Sequence, residues 1–189
     1  MPKVVLLDAD GVVLKKTDGY FSDRFAEEYG APKEDVLEFF RGPFKLCQTG
    51  KADLKEELKD RLPAWGWSKS VEEFLEYWFE EARLDDDVVA VAQTFREKGV
   101  KCYLATDQEK YRKEYIWKKL EGKLDGSFIS SDIGFTKSQP EFFAAVLQQL
   151  GVESSDVTYF DDDQHNVDTA KSLGIDAHFY TSIGDLKKY

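Results

Sequence analysis

Short apolar runs alternate with amphipathic helical patterns along most of this chain, and this alternation constrains the fold most strongly. The first run, Val4-Val5-Leu6-Leu7, is rich in β-branched residues and ends at a polar, glycine-containing turn. This pattern is typical of a strand buried on both faces, as in a parallel sheet. Three later runs resemble it, and a weaker one lies at residues 127–130. The three stronger runs occupy residues 101–105, 157–160 and 176–180.

Helical patterns separate these runs, and several end at a glycine, which is a common helix stop. They occupy residues 88–98, 110–120, 141–150 and 166–173. Strands and helices in alternation imply right-handed crossovers and a parallel sheet covered on both faces. The sequence therefore predicts an α/β fold with a doubly wound, Rossmann-like parallel sheet.

Residues 15–83 break this rhythm, because only helical patterns occur there. They occupy residues 19–29, 34–40, 53–62 and 71–83, divided by Gly and Pro turn signals, and the segment is rich in aromatic residues. We interpret it as a small all-helical domain inserted after the first strand. The predicted core is then residues 1–14 and 84–189, and the inserted domain is residues 15–83.

The charge and composition exclude several classes of partner. The chain has 189 residues and a formal net charge of −11, which argues against nucleic acid and against an anionic membrane surface. No apolar stretch in the sequence is long enough to span a bilayer. Because the first apolar run begins at Val4, we expect no signal peptide, and the two cysteines form no Cys-x-x-Cys pair. We expect a cytoplasmic protein that is a monomer or a weak homodimer.

Polar side chains follow the predicted strands or lie beside them. Asp8 and Asp10 follow the first strand, Thr106 and Asp107 follow the second strong run, and an acidic stretch beginning at Asp161 follows a third. Because the carboxyl ends of parallel strands line one crevice, we expect these side chains to converge there.

The pair Asp8 and Asp10 suits covalent acid–base chemistry. A carboxylate can attack phosphorus to form an aspartyl-phosphate, and a second carboxylate can protonate the leaving oxygen and later deprotonate water. Gly11 permits a tight turn and a close approach of the backbone to a ligand. Taken alone, the same residues would also suit a surface turn.

The acidic stretch Asp161-Asp162-Asp163 predicts a cation site. Adjacent carboxylates repel one another unless something offsets their charge, and Mg²⁺ prefers a few carboxylates together with phosphate oxygens. Asp8, a carbonyl oxygen near Asp10 and one of the later aspartates would form such a site. The alternative is a solvated acidic turn that caps the helix beginning near Asn166.

A lysine and a threonine are candidates for binding phosphate. Lys137 precedes a predicted helix and could bind a phosphate oxygen while offsetting the aspartate charge. The Thr106 hydroxyl and the backbone N–H that follows it, at Asp107, could hold another oxygen. Either residue could instead have an ordinary role, as a solvated side chain or a helix N-cap.

Taken in order, these residues resemble the motifs of the haloacid dehalogenase superfamily of aspartate-nucleophile phosphohydrolases. Asp8-Ala9-Asp10-Gly11-Val12 resembles the first motif and Thr106 the second. Lys137 resembles the third, and the stretch from Asp161 to Asn166 resembles the fourth. The resemblance covers roughly residues 3–14 and 84–181, and the insertion lies where some subfamilies carry a small helical cap. Asp107 departs from the pattern, since an uncharged residue is more usual there.

The resemblance implies a Mg²⁺-dependent phosphatase acting on a small phosphorylated metabolite. It implies that Asp8 is the nucleophile and a metal ligand, and that Asp10 is the general acid and base, with its carbonyl on the metal. Asp162 would bind the metal directly and Asp161 through water, with Gly11 and Asn166 in supporting roles. The transferred phosphoryl group would be bound by Thr106, the Asp107 amide and Lys137. Within the cap, the helix-break residues Arg41, Phe44 and Lys45 are candidate substrate contacts.

Other functions remain open at this stage. A dehalogenase of the same superfamily would need neither Mg²⁺ nor Asp10, whereas a phosphomutase would share every motif. A response-regulator receiver would be shorter, with its acidic pair near the start. A non-catalytic phospho-ligand-binding protein on this fold is the last alternative.

Overall fold

A five-stranded parallel sheet forms the centre of the protein, which a computed structural model describes over residues 2–189. The strand order β3-β2-β1-β4-β5 places the first strand in the middle, between β2 and β4. The strands are β1 (Val4–Leu7), β2 (Lys101–Thr106), β3 (Gly126–Ile129), β4 (Val157–Asp161) and β5 (Asp176–Phe179). The prediction of a parallel α/β sheet is confirmed.

Helices cover both faces of this sheet. Successive residues of its central strand point to opposite faces, so both faces carry apolar side chains that the helices bury. Val5 and Leu7 join one buried cluster, whereas Val4 and Leu6 join another. The first cluster contains residues of α6 (Asp86–Glu97), α7 (Lys110–Leu120) and α11 (Ile183–Leu186), and the second contains residues of α9 (Pro140–Leu150) and α10 (Gln164–Ser172). The short helix α8 (Ser130–Ile133) follows β3 directly.

The five elements between β1 and α6 are all helices. They are α1 (Phe21–Tyr29), α2 (Lys33–Arg41), α3 (Pro43–Gln48), α4 (Leu54–Lys59) and α5 (Val71–Phe79). Their aromatic residues form a separate buried cluster, against which Tyr111 and Tyr115 of α7 also pack. The sequence did not predict α3, since Gly42-Pro43 was interpreted only as a break. Proline is well suited to the first turn of a helix, where its missing N–H costs nothing.

Two adjacent linkers join this helical segment, the cap, to the sheet. Leu14 and Leu84 form an antiparallel bridge, the Lys15 N–H donates to the Arg83 carbonyl at 2.8 Å, and the Asp85 N–H donates to the Val13 carbonyl at 2.8 Å. These bonds lie at the predicted domain boundaries, and the division of the chain into two domains stays a prediction.

None of the helices within residues 2–189 has both the length and the apolar character needed to cross a membrane.

Candidate active site

Three neighbouring strands bring the candidate catalytic residues to one edge of the sheet. β2 ends at Thr106 and β4 ends at Asp161, while Asp8 comes directly after β1. The Asp8 N–H donates to the Phe160 carbonyl at 3.0 Å, which continues the pairing of β1 with β4 by one residue. The convergence expected from the sequence therefore occurs around Asp8.

Lys137 lies between two buried carboxylates at this edge. Its ammonium nitrogen is 2.5 Å from Asp8 Oδ1 and 2.7 Å from Asp161 Oδ2. All three side chains are nearly inaccessible to solvent. Burial favours the neutral amine, but the attraction of Asp8 and Asp161 outweighs it and raises the pKa of Lys137. Lys137 is therefore a fixed positive charge at the centre of the acidic cluster.

Burial has the opposite consequence for Asp8. Desolvation raises the pKa of the Asp8 carboxyl to about 8, against the opposing attraction of Lys137 and with a further contribution from Asp161. Among the described residues, no donor makes a well-directed hydrogen bond to the buried Asp8 Oδ1. Burial thus disfavours the ionised form of Asp8 even though Lys137 lies beside it.

Asp161 is the most completely hydrogen-bonded carboxylate of the cluster. Its Oδ2 accepts from Lys137, from Asn166 Nδ2 at 3.1 Å and from the Tyr159 hydroxyl. Its Oδ1 accepts from the Asp163 N–H at 2.7 Å. Asn166 thus belongs to the hydrogen-bond network of this loop, and its supporting role stays a prediction. Tyr159 was not identified, because it reads as an ordinary core residue of β4.

Asp162 faces the crevice more openly and lies against Gly11. Its side chain keeps 25% of its exposure, and Oδ2 accepts from Lys16 at 3.1 Å. Gly11 has φ of 80°, and a Cβ atom there would lie 2.2 Å from Asp162 Oδ2. The positive φ therefore favours glycine at position 11, and a side chain there would displace the Asp162 carboxylate.

Asp10 is held by two residues that the sequence did not identify. The Arg112 guanidinium donates to Asp10 Oδ1 through Nη2 and to Oδ2 through Nη1, both at 2.7 Å, and Gln108 Nε2 donates to Oδ2 at 2.8 Å. Although desolvation opposes it, Arg112 lowers the pKa of Asp10. The only sequence signal for Arg112 was a cation in the first turn of the helix that follows Thr106.

The residues around Thr106 form a second polar group beside Asp8. Thr106 is buried, and its hydroxyl oxygen accepts from Gln108 Nε2 at 3.4 Å. The carboxylate of Asp107 accepts from the Lys137 N–H at 2.9 Å, and its carbonyl accepts from Gln48 of the cap at 3.3 Å. The unusual charge of Asp107 is thus directed at a backbone donor, and burial raises its pKa.

The donor set of this edge fits a hard divalent cation. Asp8, Asp161 and Asp162 each offer a carboxylate oxygen, and these atoms lie within 4.8 Å of one another. Oxygen ligands at such spacing suit Mg²⁺. The burial that raises the pKa of Asp8 is consistent with this, because a nearby cation would favour its ionised form.

The candidate residues open into a crevice of about 810 Å³ between the sheet edge and the cap. Phe44 lines this crevice together with other aromatic residues of the cap and its linker. The two remaining cap candidates are elsewhere: Arg41 is exposed and pairs with Glu34, and Lys45 is exposed and does not line the crevice. The aromatic residues that line it are Tyr20, Phe21, Phe40, Phe44 and Trp78.

Comparisons with known proteins identify the family of this chain. A family model described as haloacid dehalogenase-like hydrolase matches residues 2–174. A Thermotoga maritima protein named phosphorylated carbohydrates phosphatase is 31% identical over 182 residues, which is 92% of this chain and 82% of that protein.

Solved structures share the fold across almost the whole chain. A HAD family enzyme of Bacteroides thetaiotaomicron, in complex with magnesium and inorganic phosphate, aligns with a TM-score of 0.81 at 19% identity, covering 96% of this chain and 95% of that one. A HAD phosphatase from Thermococcus onnurineus aligns with a TM-score of 0.65 at 22% identity, covering 95% of this chain and 86% of that one.

Proposed function

Since this chain is a phosphatase of the haloacid dehalogenase-like hydrolase family, we propose the reaction that it catalyses. In this proposal it cleaves a phosphate monoester of a small metabolite through an aspartyl-phosphate at Asp8. One observation carries the proposal. Lys137, in the loop before α9, contacts both Asp8 and Asp161, which lie at the ends of the adjacent strands β1 and β4, and Asp10 opens to the same crevice.

Asp8 is the nucleophile in this proposal. One of its carboxylate oxygens attacks phosphorus, an acyl phosphate bond forms, and the bond to the leaving-group oxygen breaks. Water then attacks the same phosphorus, which releases inorganic phosphate and regenerates Asp8. The buried position of Asp8 keeps bulk water away from the first step.

Asp10 carries the proton between these two steps. It gives a proton to the departing oxygen and takes one from the attacking water. Its side chain retains 56% of its exposure, so it can reach both groups in the crevice. Leaving groups that are poor on their own, such as sugar alcohols, depend most on this transfer.

Lys137, Thr106 and the Asp107 amide bind the transferred phosphoryl group. Charge on the equatorial phosphoryl oxygens has to be stabilised throughout the transfer, and positioning with electrostatics carries most of the rate. Lys137 supplies a fixed charge, because its position is set by Asp161 and by the hydrogen bond from its own N–H to Asp107.

Asp8 and Asp162 would hold Mg²⁺ directly, with the Asp10 carbonyl as a further ligand. Asp161 supports the site from behind, since both of its oxygens already accept hydrogen bonds from protein groups. When bound, the ion supplies positive charge to the phosphoryl oxygens and to the Asp8 carboxylate.

A phosphorylated carbohydrate is the substrate class that we propose. The relative from Thermotoga maritima carries that activity in its name. The crevice has room for such a molecule and is walled by aromatic rings, which provide flat apolar surfaces beside the acidic edge.

Hydrolysis of p-nitrophenyl phosphate tests the reaction class and the metal together. We expect turnover with Mg²⁺, and loss of turnover in excess chelator that is restored by adding Mg²⁺ back. Asp8→Asn should abolish turnover while its thermal unfolding midpoint stays close to that of the parent. Asp87→Asn is the matched control, because Asp87 is an exposed aspartate at the start of α6. Full activity in chelator would refute the metal role, and an active Asp8→Asn variant would refute the nucleophile.

A further inference from the structure

Arg112 is paired with Asp10, the carboxylate that acts as general acid and base in the proposed reaction. Both Asp10 oxygens accept from the guanidinium, and one also accepts from Gln108, so three of about four lone-pair sites are used. Such a fork-to-fork pair is among the stronger side-chain interactions. If Asp10 exchanges a proton with the leaving group, the ion pair with Arg112 has to open first.

Arg112 cannot simply be released into solvent. Its side chain is only 13% exposed, and its buried Nε has no acceptor among the described residues. Leaving a largely buried cation unpaired is costly, so opening the pair with Asp10 requires another anion.

The neighbouring protein carboxylates are already engaged. Glu109 is buried and accepts from the backbone N–H groups of Tyr111 and Arg112, which caps α7. Glu81, which also lines the crevice, is paired with Arg24. Asp8 is in contact with Lys137. Asp107, Asp162 and Asp163 also line the crevice, and each already accepts from another group, so the substrate is the remaining source of an anion for Arg112.

We propose that Arg112 is a specificity-determining residue that binds a second anionic group of the substrate, a carboxylate or a second phosphate on the leaving-group side. This inference rests on the proposed phosphatase function. A planar guanidinium matches either group through two parallel hydrogen bonds, as it now matches Asp10. Binding of that group replaces Asp10 as the partner of Arg112, and Asp10 becomes free to act on the leaving-group oxygen.

Gln108 contacts both members of the ion pair and can stay bonded to Asp10 when Arg112 changes partner. It accepts from Arg112 Nη1 at 2.7 Å through Oε1 and donates to Asp10 through Nε2, so it contacts both partners. When the guanidinium turns to the substrate, Gln108 remains as a neutral donor to Asp10. The proposed substrates are therefore sugar acids or sugars that carry one phosphoryl group to be cleaved and one anion to be recognised.

Matched substrate pairs test the proposal. Glycerol phosphate against phosphoglycerate tests the carboxylate, and glucose monophosphate against glucose bisphosphate tests the second phosphate. The parent should prefer the doubly anionic member of at least one pair by about 10- to 100-fold in kcat/KM, the range for hydrogen bonds to a charged group. The preferred pair identifies the anion.

Variants of Arg112 test whether this residue is the cause. Arg112→Gln should remove the preference, chiefly through KM of the doubly anionic member, and Arg112→Lys should retain part of it because one charge remains. Lys118→Gln is the control, since Lys118 is an exposed cation on the same helix and its loss should leave the preference intact. If Arg112 had only a structural role, its substitution would lower kcat/KM equally for both substrates of a pair.

Two results would overturn the inference. One is a parent enzyme that hydrolyses p-nitrophenyl phosphate but prefers neither doubly anionic substrate. The other is a preference that Arg112→Gln and Arg112→Lys both leave unchanged. A parent enzyme that hydrolyses no phosphate monoester at all would instead count against the proposed phosphatase function, so the two failures are distinguishable.

Discussion

At the scale of single residues, Gly11 shows how closely the first turn is fitted to the acidic cluster. Gly11→Ala would place a methyl group against Asp162 and impose an unfavourable positive φ. We expect loss of most phosphatase activity and a destabilisation of about 1–3 kcal/mol, because an L-residue is strained there. Activity assays and urea unfolding measure the two effects.

Gly99→Ala is the matched control for that variant. Gly99 has φ of 85° but open space where its Cβ would lie. It should therefore share the backbone penalty and keep full activity. Equal activity of Gly11→Ala and Gly99→Ala would mean that the contact of Gly11 with Asp162 is unimportant.

Asp125 gives a residue-scale prediction outside the active site. It accepts from the Cys102 N–H at 2.9 Å and pairs with Arg96 at 3.1 Å and with Lys101 at 3.0 Å. Although desolvation opposes them, these donors hold the pKa of Asp125 below its ordinary value of 3.8. Its contribution to stability is therefore present above pH 3.8 and is lost as pH falls through the lower pKa of the folded state.

Asp125→Asn should lower the free energy of unfolding at neutral pH by about 1–3 kcal/mol, since it removes the charge that the surrounding donors satisfy. The difference from the parent should shrink as the solution is acidified below pH 3.8. Urea titrations at several pH values measure it. A difference that stays constant or grows in acid would contradict the sign of the pKa shift.

The candidate site residues could be predicted individually only where they follow the end of a predicted strand. Asp8, Thr106 and Asp161 follow buried apolar runs, so the topology of a parallel sheet was enough to bring them together. Arg112 and Tyr159 gave no such signal, because a cation on a helix and an aromatic residue in a strand are common without any function. Their roles depend on contacts between elements that a single sequence does not reveal.

At the scale of elements, α3 of the cap lies against α8 of the core. The Ser130 hydroxyl donates to the Gln48 carbonyl at 2.6 Å, and a Cβ at Gly50 would lie 2.5 Å from the Ser131 carbonyl oxygen. The Tyr111 hydroxyl adds a bond to Asp53 at 2.7 Å. These hydrogen bonds hold the cap against the core on the side of Thr106 and α7.

Gly50→Ala should disturb this contact without touching a catalytic side chain. We expect a raised KM and a lower unfolding midpoint, because the cap has to move away from the Ser131 carbonyl. Gly30→Ala is the control, since Gly30 also has a positive φ, of 62°, but open space around it. If both variants had the same KM, the α3–α8 contact would have no part in shaping the crevice.

Strand positions followed well from the sequence, whereas helix bounds in the cap did not. β1 and α7 begin and end where their patterns predicted, and the predicted helix at residues 53–62 is confined to Leu54–Lys59. A buried strand has a distinctive apolar run, but the cap is rich in aromatic residues on most faces, so its helical periodicity is less clear. The added helix α3 arose at a Gly-Pro pair whose proline starts a helix.

For the whole molecule, a net charge of −11 has to coexist with binding of an anionic substrate. Two cations provide local positive charge in the crevice: Lys137 lies between two aspartates, and Arg112 forms an ion pair with Asp10. A divalent cation among Asp8, Asp161 and Asp162 would add the remaining positive charge. The predicted cytoplasmic location and oligomeric state stay predictions, because neither follows from the fold or from the site.

Detection of the phosphorylated intermediate tests the central claim most directly. A reaction with Mg²⁺ and substrate, quenched in acid within one turnover and analysed by peptide mass spectrometry, should show one phosphoryl group on Asp8. The Asp8→Asn variant should show none under the same conditions. Steady turnover with the phosphoryl group on another residue, or with no phosphorylated peptide at any quench time, would contradict an aspartyl-phosphate mechanism at Asp8.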